Sequence, residues 1–162
     1  MKKIESQQQL QEEVSAFHRG FKTVLLATAS ADGIPDASYS PFILDDYGAV
    51  CIFVSELAQH TSNLASTSRA SLLWIADEAQ CRNLFARPRL MLQCSAVELP
   101  PRSPQWESSL TQLQQAHGKT IEVLRTLPDF HLFSLEAYSG NYVRGFSQAF
   151  SATGEQLAGW LR

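Results

Sequence analysis

Asp129 and His131 stand two residues apart in the segment LPDFHLF (127–133), where the sequence predicts the start of a strand. Alternation along a strand would point both side chains to one face, where Val, Ile, Leu and Phe are the usual occupants. A carboxylate behind a histidine makes the imidazole a stronger metal ligand and fixes its tautomer. A strand-edge Asp after Pro128 can equally cap nearby backbone amides. The pattern alone leaves open whether this is a site or an accidental polar pair.

The composition is that of an ordinary globular protein. The chain has 162 residues, of which 44% are hydrophobic and 18% charged, enough to bury a core. The net charge of -3 argues against general nucleic-acid binding. No run of about eighteen apolar residues predicts a membrane span, and the N-terminus lacks the apolar stretch of a signal peptide. Cys51, Cys81 and Cys94 show no C-x-x-C spacing and are typical of reduced thiols. The sequence thus predicts a cytoplasmic protein that binds neither nucleic acid nor membranes.

The elements that must position these residues are mostly antiparallel strands. Residues 1–162 are predicted to form one domain: an N-terminal helix (1–20), barrel strands (21–100 and 129–150), a helical insertion (103–126) and a C-terminal helix (153–162). Asp32-Gly33 and Ser139-Gly140 predict hairpin turns. A strand is expected from Asp36 to Leu44 and a short helix over 55–66. Hairpins without β-α-β alternation favour a small antiparallel barrel, whose closure removes exposed edges.

Six segments, in chain order, resemble a single family: KTVLLATAS, G-x-P-x-x-S-Y-x-P-F, LAQHTSNL, NLFARPRL, LPDFHLF and VRGFSQAF. They are similar to the haem-utilisation branch (HugZ/HutZ-type haem-binding and haem-degrading proteins) of the flavin-binding split-barrel superfamily, which includes the pyridoxamine-phosphate oxidases. The resemblance spans about residues 20–160. It implies a mainly antiparallel split β-barrel with helices, assembled as a homodimer with ligand sites in the clefts between subunits.

The resemblance makes FMN one expected cofactor. Flavin-binding members hold the FMN phosphate with basic residues on the second strand and at the start of the helix after the third strand. In this chain the segments DASYS (36–40) and AQH (58–60) stand at those positions, without Lys or Arg. The hydroxyls of Ser38, Ser40 and Thr61, together with backbone amides, are the remaining phosphate donors. An FMN-binding oxidoreductase is therefore the alternative interpretation.

The resemblance makes haem the preferred cofactor. Haem requires an apolar slot, an axial ligand and cations for its propionates. Arg89 matches a basic residue of the haem branch and His60 matches a histidine near its cleft; solvated surface positions are the competing interpretation of both. Asp129 matches an acidic residue that hydrogen-bonds the axial histidine across the dimer. His131 is expected to be an interface histidine bonded to Asp129, or else an iron ligand.

The iron ligand is the point at which this sequence departs from the haem branch. There the axial histidine lies in a tail beyond the last short helix, whereas no histidine follows His131 in this sequence. His60 and His131 are therefore the candidate iron ligands, with Cys and Tyr as the other substitutes. We expect a haem-binding homodimer and, if it is an enzyme, oxidative opening of the porphyrin, with Asp129 tuning the proximal ligand and Arg89 orienting a propionate. A non-catalytic dimer that carries a ligand is the third hypothesis.

Overall fold

The computed structural model describes residues 6–162, so residues 1–5 of the expected N-terminal helix lie outside the described part. Within 6–162 the chain forms five α-helices and eight β-strands. In chain order these are α1 (Gln7–Arg19), β1 (Thr23–Ala29), β2 (Pro35–Pro41), β3 (Ile43–Leu44), β4 (Val50–Ser55), α2 (Gln59–Thr67), β5 (Arg69–Ile75), β6 (Arg89–Glu98), α3 (Pro104–His117), α4 (Thr120–Leu124), β7 (Phe130–Gly145), β8 (Gln148–Ala152) and α5 (Gly154–Leu161). Two short 3-10 helices, Glu78–Gln80 and Leu84–Ala86, lie between β5 and β6. None of the helices in residues 6–162 has the length and apolar character needed to cross a membrane.

The eight described strands form one antiparallel sheet, as the hairpin pattern predicts. The strand order is β2-β1-β5-β6-β7-β4-β3, and β8 pairs with β7. The sheet curls so that β2 approaches β4, and α2 lies against β1 and β2 beside them. β7 is the longest strand because its first part pairs with β4 and its last part with β8, while β6 pairs along both parts. The result is an antiparallel barrel that is open between β2 and β4.

Alternate side chains of the strands fill the barrel interior. In β5, Leu72 and Trp74 point inwards and are buried, whereas Leu73 between them is partly exposed on the outer face. The helices α1 and α5 close the same cluster, to which α5 contributes the buried Trp160. A second apolar cluster joins α3 and α4 to the sheet and consists of Ile43, Cys51, Phe53, Leu99, Leu110, Leu113, Ile121 and Leu132. The helical insertion therefore packs against the sheet over its own core.

Capping residues explain where two of the helices begin. Ser6 caps α1, because its Oγ accepts from the Gln9 N–H at 3.2 Å and the Gln9 side chain accepts from the Ser6 N–H at 3.0 Å. Ser103 caps α3 through the Trp106 N–H, with Pro104 in the first turn. The helix α2 follows Ala58, which provides no side-chain cap. The position of the first turn of α2 therefore depends on contacts with other elements.

The turn predicted at Ser139-Gly140 is wrong. The strand β7 runs through both residues, and its hairpin with β8 turns at residues 146 and 147 instead. Gly140 has another purpose, because a Cβ atom there would lie 2.8 Å from Leu157 Cδ1 and 3.1 Å from Leu92 Cδ2. The glycine allows α5 to approach the sheet closely. Apart from bulges and bends, such close approach is a common reason for a glycine inside a strand.

Two other element limits differ from the sequence prediction. The segment from Asp36 to Leu44 is two strands, since β2 pairs with β1 and β3 with β4, and Phe42 is buried between them. Residues 56–58 form a turn before α2, and Leu57 in that turn is 93% exposed. Pro41 ends β2 and marks the first change of partner, whereas no Gly or Pro marks the turn of residues 56–58.

Candidate functional site

A groove with a volume of about 560 Å³ lies between the barrel and the α3–α4 pair. One wall is formed by β2, β4 and the start of α2, and the other by α3, α4 and the first residue of β7. The apolar part of the lining consists of Tyr39, Pro41, Phe53, Val54, Ala58, Leu113, Ile121, Leu124 and Phe130. A mostly apolar groove of this volume, with a few polar groups, is typical of small-molecule sites.

His60 provides one of the polar groups of this groove. Its residue is only 8% exposed, and its Nδ1 lies 2.9 Å from the Ser38 hydroxyl. Burial lowers the pKa of His60, and the charge of Asp36 offsets part of this effect by raising it. The imidazole is therefore neutral at pH 7. When its Nδ1–H donates to Ser38, the Nε2 lone pair is left for a ligand.

Asp129 fastens the junction between β4 and α2. Ser55 Oγ donates to Asp129 Oδ2 at 2.9 Å, and the Asp129 carbonyl accepts from the Glu56 N–H at 2.8 Å. The Thr61 hydroxyl donates to the Ser55 carbonyl at 2.6 Å, which ties the first turn of α2 to the end of β4. Asp129 and Thr61 thus lie beside the groove, which Ser55 itself lines. Within residues 6–162 Asp129 makes no hydrogen bond to a histidine.

His131 has partners that the sequence did not suggest. Its Nδ1 lies 2.6 Å from Glu98 Oε1 and its Nε2 lies 2.7 Å from Glu56 Oε1. The hydrogen bonds to Glu98 and then Glu56 raise the pKa of His131. The expected bond from His131 to Asp129 is therefore replaced by a contact with two glutamates in this chain. Because both ring nitrogens face carboxylates, His131 has no free lone pair to offer to iron.

Arg89 lies far from this cluster within one chain. It begins β6, opposite Ile75 and Val143, and its Nη1 donates to the Arg87 carbonyl at 3.1 Å. Glu98, which contacts His131, ends the same strand, about 30 Å away at roughly 3.3 Å per residue. Arg87 precedes the strand. Its Nε and Nη2 donate to the Ala76 carbonyl at 3.0 and 2.6 Å.

The groove lacks the basic residues that a phosphate group requires. None of its lining residues is Lys or Arg. The Ser40 hydroxyl donates to the Pro41 carbonyl at 2.8 Å, the Thr61 hydroxyl to the Ser55 carbonyl, and Ser38 is engaged with His60. Residues 6–162 also contain no group of three or more His, Cys, Asp or Glu side chains placed to hold a metal ion. The polar groups that line the groove are therefore hydroxyls and two histidines rather than cations.

The helical insertion contributes to the groove, which the sequence did not predict. His117, which ends α3, lines it, and its Nε2 donates to the Phe42 carbonyl at 2.8 Å. Leu110 and Leu113 are buried at helical spacing on α3, and α3 and α4 also border the groove. The aromatic residues Phe53 and Phe130 are the groove residues that the sequence could most readily have singled out. Their ring centroids lie 5.2 Å apart at the groove.

Comparison with known proteins identifies the family. The family model described as pyridoxamine 5'-phosphate oxidase matches residues 10–144. This chain belongs to that family. It is 34% identical over 155 residues to a protein named "Heme oxygenase HutZ" from Vibrio cholerae, a match that covers 96% of this chain and 88% of the relative. The resemblance to the haem-utilisation branch is confirmed.

Solved structures show the same fold. HutZ from Vibrio cholerae, described as a heme storage protein, superimposes with a TM-score of 0.75 and 31% identity, over 90% of this chain and 96% of that one. Campylobacter jejuni ChuZ gives a TM-score of 0.82 with 27% identity, over 91% and 60% of the two chains. A heme binding protein from Mycobacterium smegmatis gives 0.79 with 27% identity, over 95% and 60%. The predicted split-barrel fold is confirmed.

Proposed function

We propose that this protein binds haem in the groove between the barrel and the α3–α4 pair. The observation that carries the proposal is the buried, neutral imidazole of His60, whose Nδ1 meets Ser38 and whose Nε2 is left for the iron. Iron-binding histidines commonly donate their second ring N–H to a fixed acceptor in this way. The apolar side chains around His60 match the porphyrin faces. The haem-related names of the similar proteins support the same ligand.

We propose that a homodimer completes the site. On the outer face of the sheet Tyr39, Leu25, Leu73 and Met91 are paired across four neighbouring strands, an arrangement we call the outer-face row. Tyr39 is 64%, Leu25 45% and Met91 42% exposed, which is unusual for a continuous apolar row on a monomer. A second copy that covers this row would bring in an Arg89, two residues from Met91, as a cation for a propionate. Leu25→Arg is expected to give monomers in sedimentation experiments. Thr111→Arg, at an exposed position of α3, is the control and is expected to remain a dimer.

We propose oxidative opening of the porphyrin as the reaction, in line with the name of the Vibrio relative. Haem is then the substrate, and its iron supplies the oxidation chemistry with an external reductant and oxygen or peroxide. The chain holds the iron through His60, keeps that ring oriented through Ser38 and excludes water with the α3–α4 wall. A carrier without catalysis would bind haem in the same groove and leave it intact.

The test is a haem titration followed by addition of ascorbate or peroxide. The wild type is expected to sharpen and shift the Soret band, and His60→Gln to lose the shift. Ser62→Ala, whose hydroxyl bonds only within α2, is the control and is expected to keep the Soret maximum and the affinity of the wild type. An unchanged spectrum and affinity in His60→Gln would exclude His60 as the ligand. Bleaching after the reductant separates an enzyme from a carrier, and tight FMN binding would favour the flavin alternative.

We also propose a cytoplasmic location. Cys51, Cys81 and Cys94 are free thiols. Cysteines of proteins in oxidising compartments are commonly paired in disulfides, so free thiols favour a reducing compartment. Burial raises the pKa of Cys51 to about 11 and that of Cys94 to about 12, so both remain unreactive thiols. Their roles are in packing, and the reducing cytosol suits them.

A further inference from the structure

The turn of residues 56–58 determines where His60 lies, because it leads from β4 into α2. With no side-chain cap at Ala58, contacts from the start of β7 hold this turn. The Glu56 N–H donates to the Asp129 carbonyl at 2.8 Å, and Ser55 Oγ donates to Asp129 Oδ2 at 2.9 Å. The third contact joins His131 Nε2 to Glu56 Oε1 at 2.7 Å. Of the three, the histidine contact is the one that changes charge in the neutral pH range.

Two carboxylates contact His131: Glu56 comes from the turn and Glu98 from the end of β6. Asp129, from the residues before β7, is engaged with Ser55. Neither glutamate forms an ion pair with a Lys or Arg within residues 6–162. Both ring nitrogens can donate to these carboxylates only when both carry a proton, as in the imidazolium ion. The geometry is therefore complete only in the charged form.

We propose that His131 is a positioning residue that holds the turn of residues 56–58, and with it His60, by bridging Glu98 and Glu56. This inference rests on the proposed haem binding. When His131 loses its proton, one ring nitrogen presents a lone pair to a carboxylate, and one of the two bridges becomes repulsive. The neutral ring can donate to only one glutamate; when that glutamate is Glu98, the turn is held by Asp129 alone and His60 is less well fixed beside the groove.

The charge of His131 gives haem binding a pH dependence. The glutamates raise the pKa of His131 above its usual 6.5, so the bridge is complete below that value and is lost as the pH rises through the raised value. Haem affinity should therefore decline on the alkaline side.

The experiment measures haem affinity of the full chain between about pH 6 and pH 9, a range that spans ordinary histidine titration. His131→Gln is expected to weaken binding at pH 7 by about fivefold, the loss of one partly exposed charged hydrogen bond, and to abolish the alkaline decline. Glu98→Gln is expected to move that decline to lower pH. Glu136→Gln, an exposed glutamate of β7, is the matched control and should follow the wild-type profile.

Two outcomes overturn the inference in distinguishable ways. If haem binds and the His131→Gln profile superimposes on that of the wild type, His131 does not position the site. If no variant binds haem, the proposed function fails, and the bridge is read instead from amide hydrogen exchange of residues 56–61. Faster exchange at pH 7 in His131→Gln than in Glu136→Gln then supports the bridge, and equal exchange overturns it.

Discussion

His60 follows the turn of residues 56–58 and His131 holds that turn, yet the two histidines have opposite surroundings. His60 is 8% exposed and faces a neutral hydroxyl, so burial dominates and lowers its pKa. The side chain of His131 is 27% exposed and faces two carboxylates, so hydrogen bonding dominates and raises its pKa. Burial therefore favours the neutral ring of His60, and the two glutamates favour the charged ring of His131.

This difference separates two roles that the sequence could not tell apart. A metal ligand must be deprotonated, and its second nitrogen is usually held by an acceptor. His60 meets both conditions with a single partner. An imidazolium between two glutamates meets neither, but it can join distant segments of the chain. Residue type makes both histidines candidates for iron, and only the partners decide between them.

The largest effect is expected from Ser38→Ala, which removes the partner of His60 Nδ1. Without this hydrogen bond the ring is free to rotate and the Nε2 lone pair loses its direction. Haem affinity should fall by about tenfold, the lower end of the range seen when partners of metal-binding histidines are removed. Haem titration with resonance Raman of the iron–histidine vibration measures both the affinity and the bond.

Ser62→Ala is the control for this change. Ser62 lies on the exposed side of α2, where its hydroxyl donates to the Gln59 carbonyl within the same helix. It should bind haem as the wild type does. Equal loss in both variants would mean that α2 as a whole was disturbed, and no loss in Ser38→Ala would break the contrast between the two histidines.

A smaller effect is expected from Asp129→Ala, because Asp129 supports the junction that lies between the two histidines. The substitution removes the acceptor of the Ser55 hydroxyl. The free energy of unfolding should fall by about 1 kcal/mol, the typical net value of one hydrogen bond, because this bond is only part-buried, while the Soret maximum stays unchanged. Urea denaturation measures the change. Asp32→Ala in the exposed β1–β2 turn is the control, and an Asp129→Ala variant as stable as that control would contradict the prediction.

The strands could be predicted from sequence because their pattern is local. Short apolar runs in β1 and β5, together with the Asp32-Gly33 turn, predict the antiparallel sheet from sequence, and burial alternates along both strands in the structure. Gly140 shows the limit, because a glycine required by the approach of Leu157 looks the same in sequence as a turn glycine. The prediction of a turn at Ser139-Gly140 was wrong for that reason.

The candidate site was only partly predictable because its partners are distant in sequence. Glu98 and Glu56 lie 33 and 75 residues from His131, so no local pattern connects them. His60 and Ser38 were both selected, yet their hydrogen bond over 22 residues requires the curl that brings α2 against β2. Residue types could be chosen from the sequence, and pairings could not.

The smallest expected effect is a change in the pKa of a single histidine. The ring resonances of both histidines can be followed by NMR against pH. His60 should titrate below its usual 6.5 and His131 above it, because burial acts on one and glutamates on the other.

Asp36→Asn should lower the pKa of His60 further, since the charge of Asp36 raises it, and should leave the pKa of His131 unchanged. The contribution of His60 to the free energy of unfolding is complete above pH 6.5 and declines below it. Asp36→Asn should therefore extend this acid decline to lower pH. Asp32→Asn is the control, and a shift of His131 instead of His60 would show that the two sites are electrostatically coupled rather than separate.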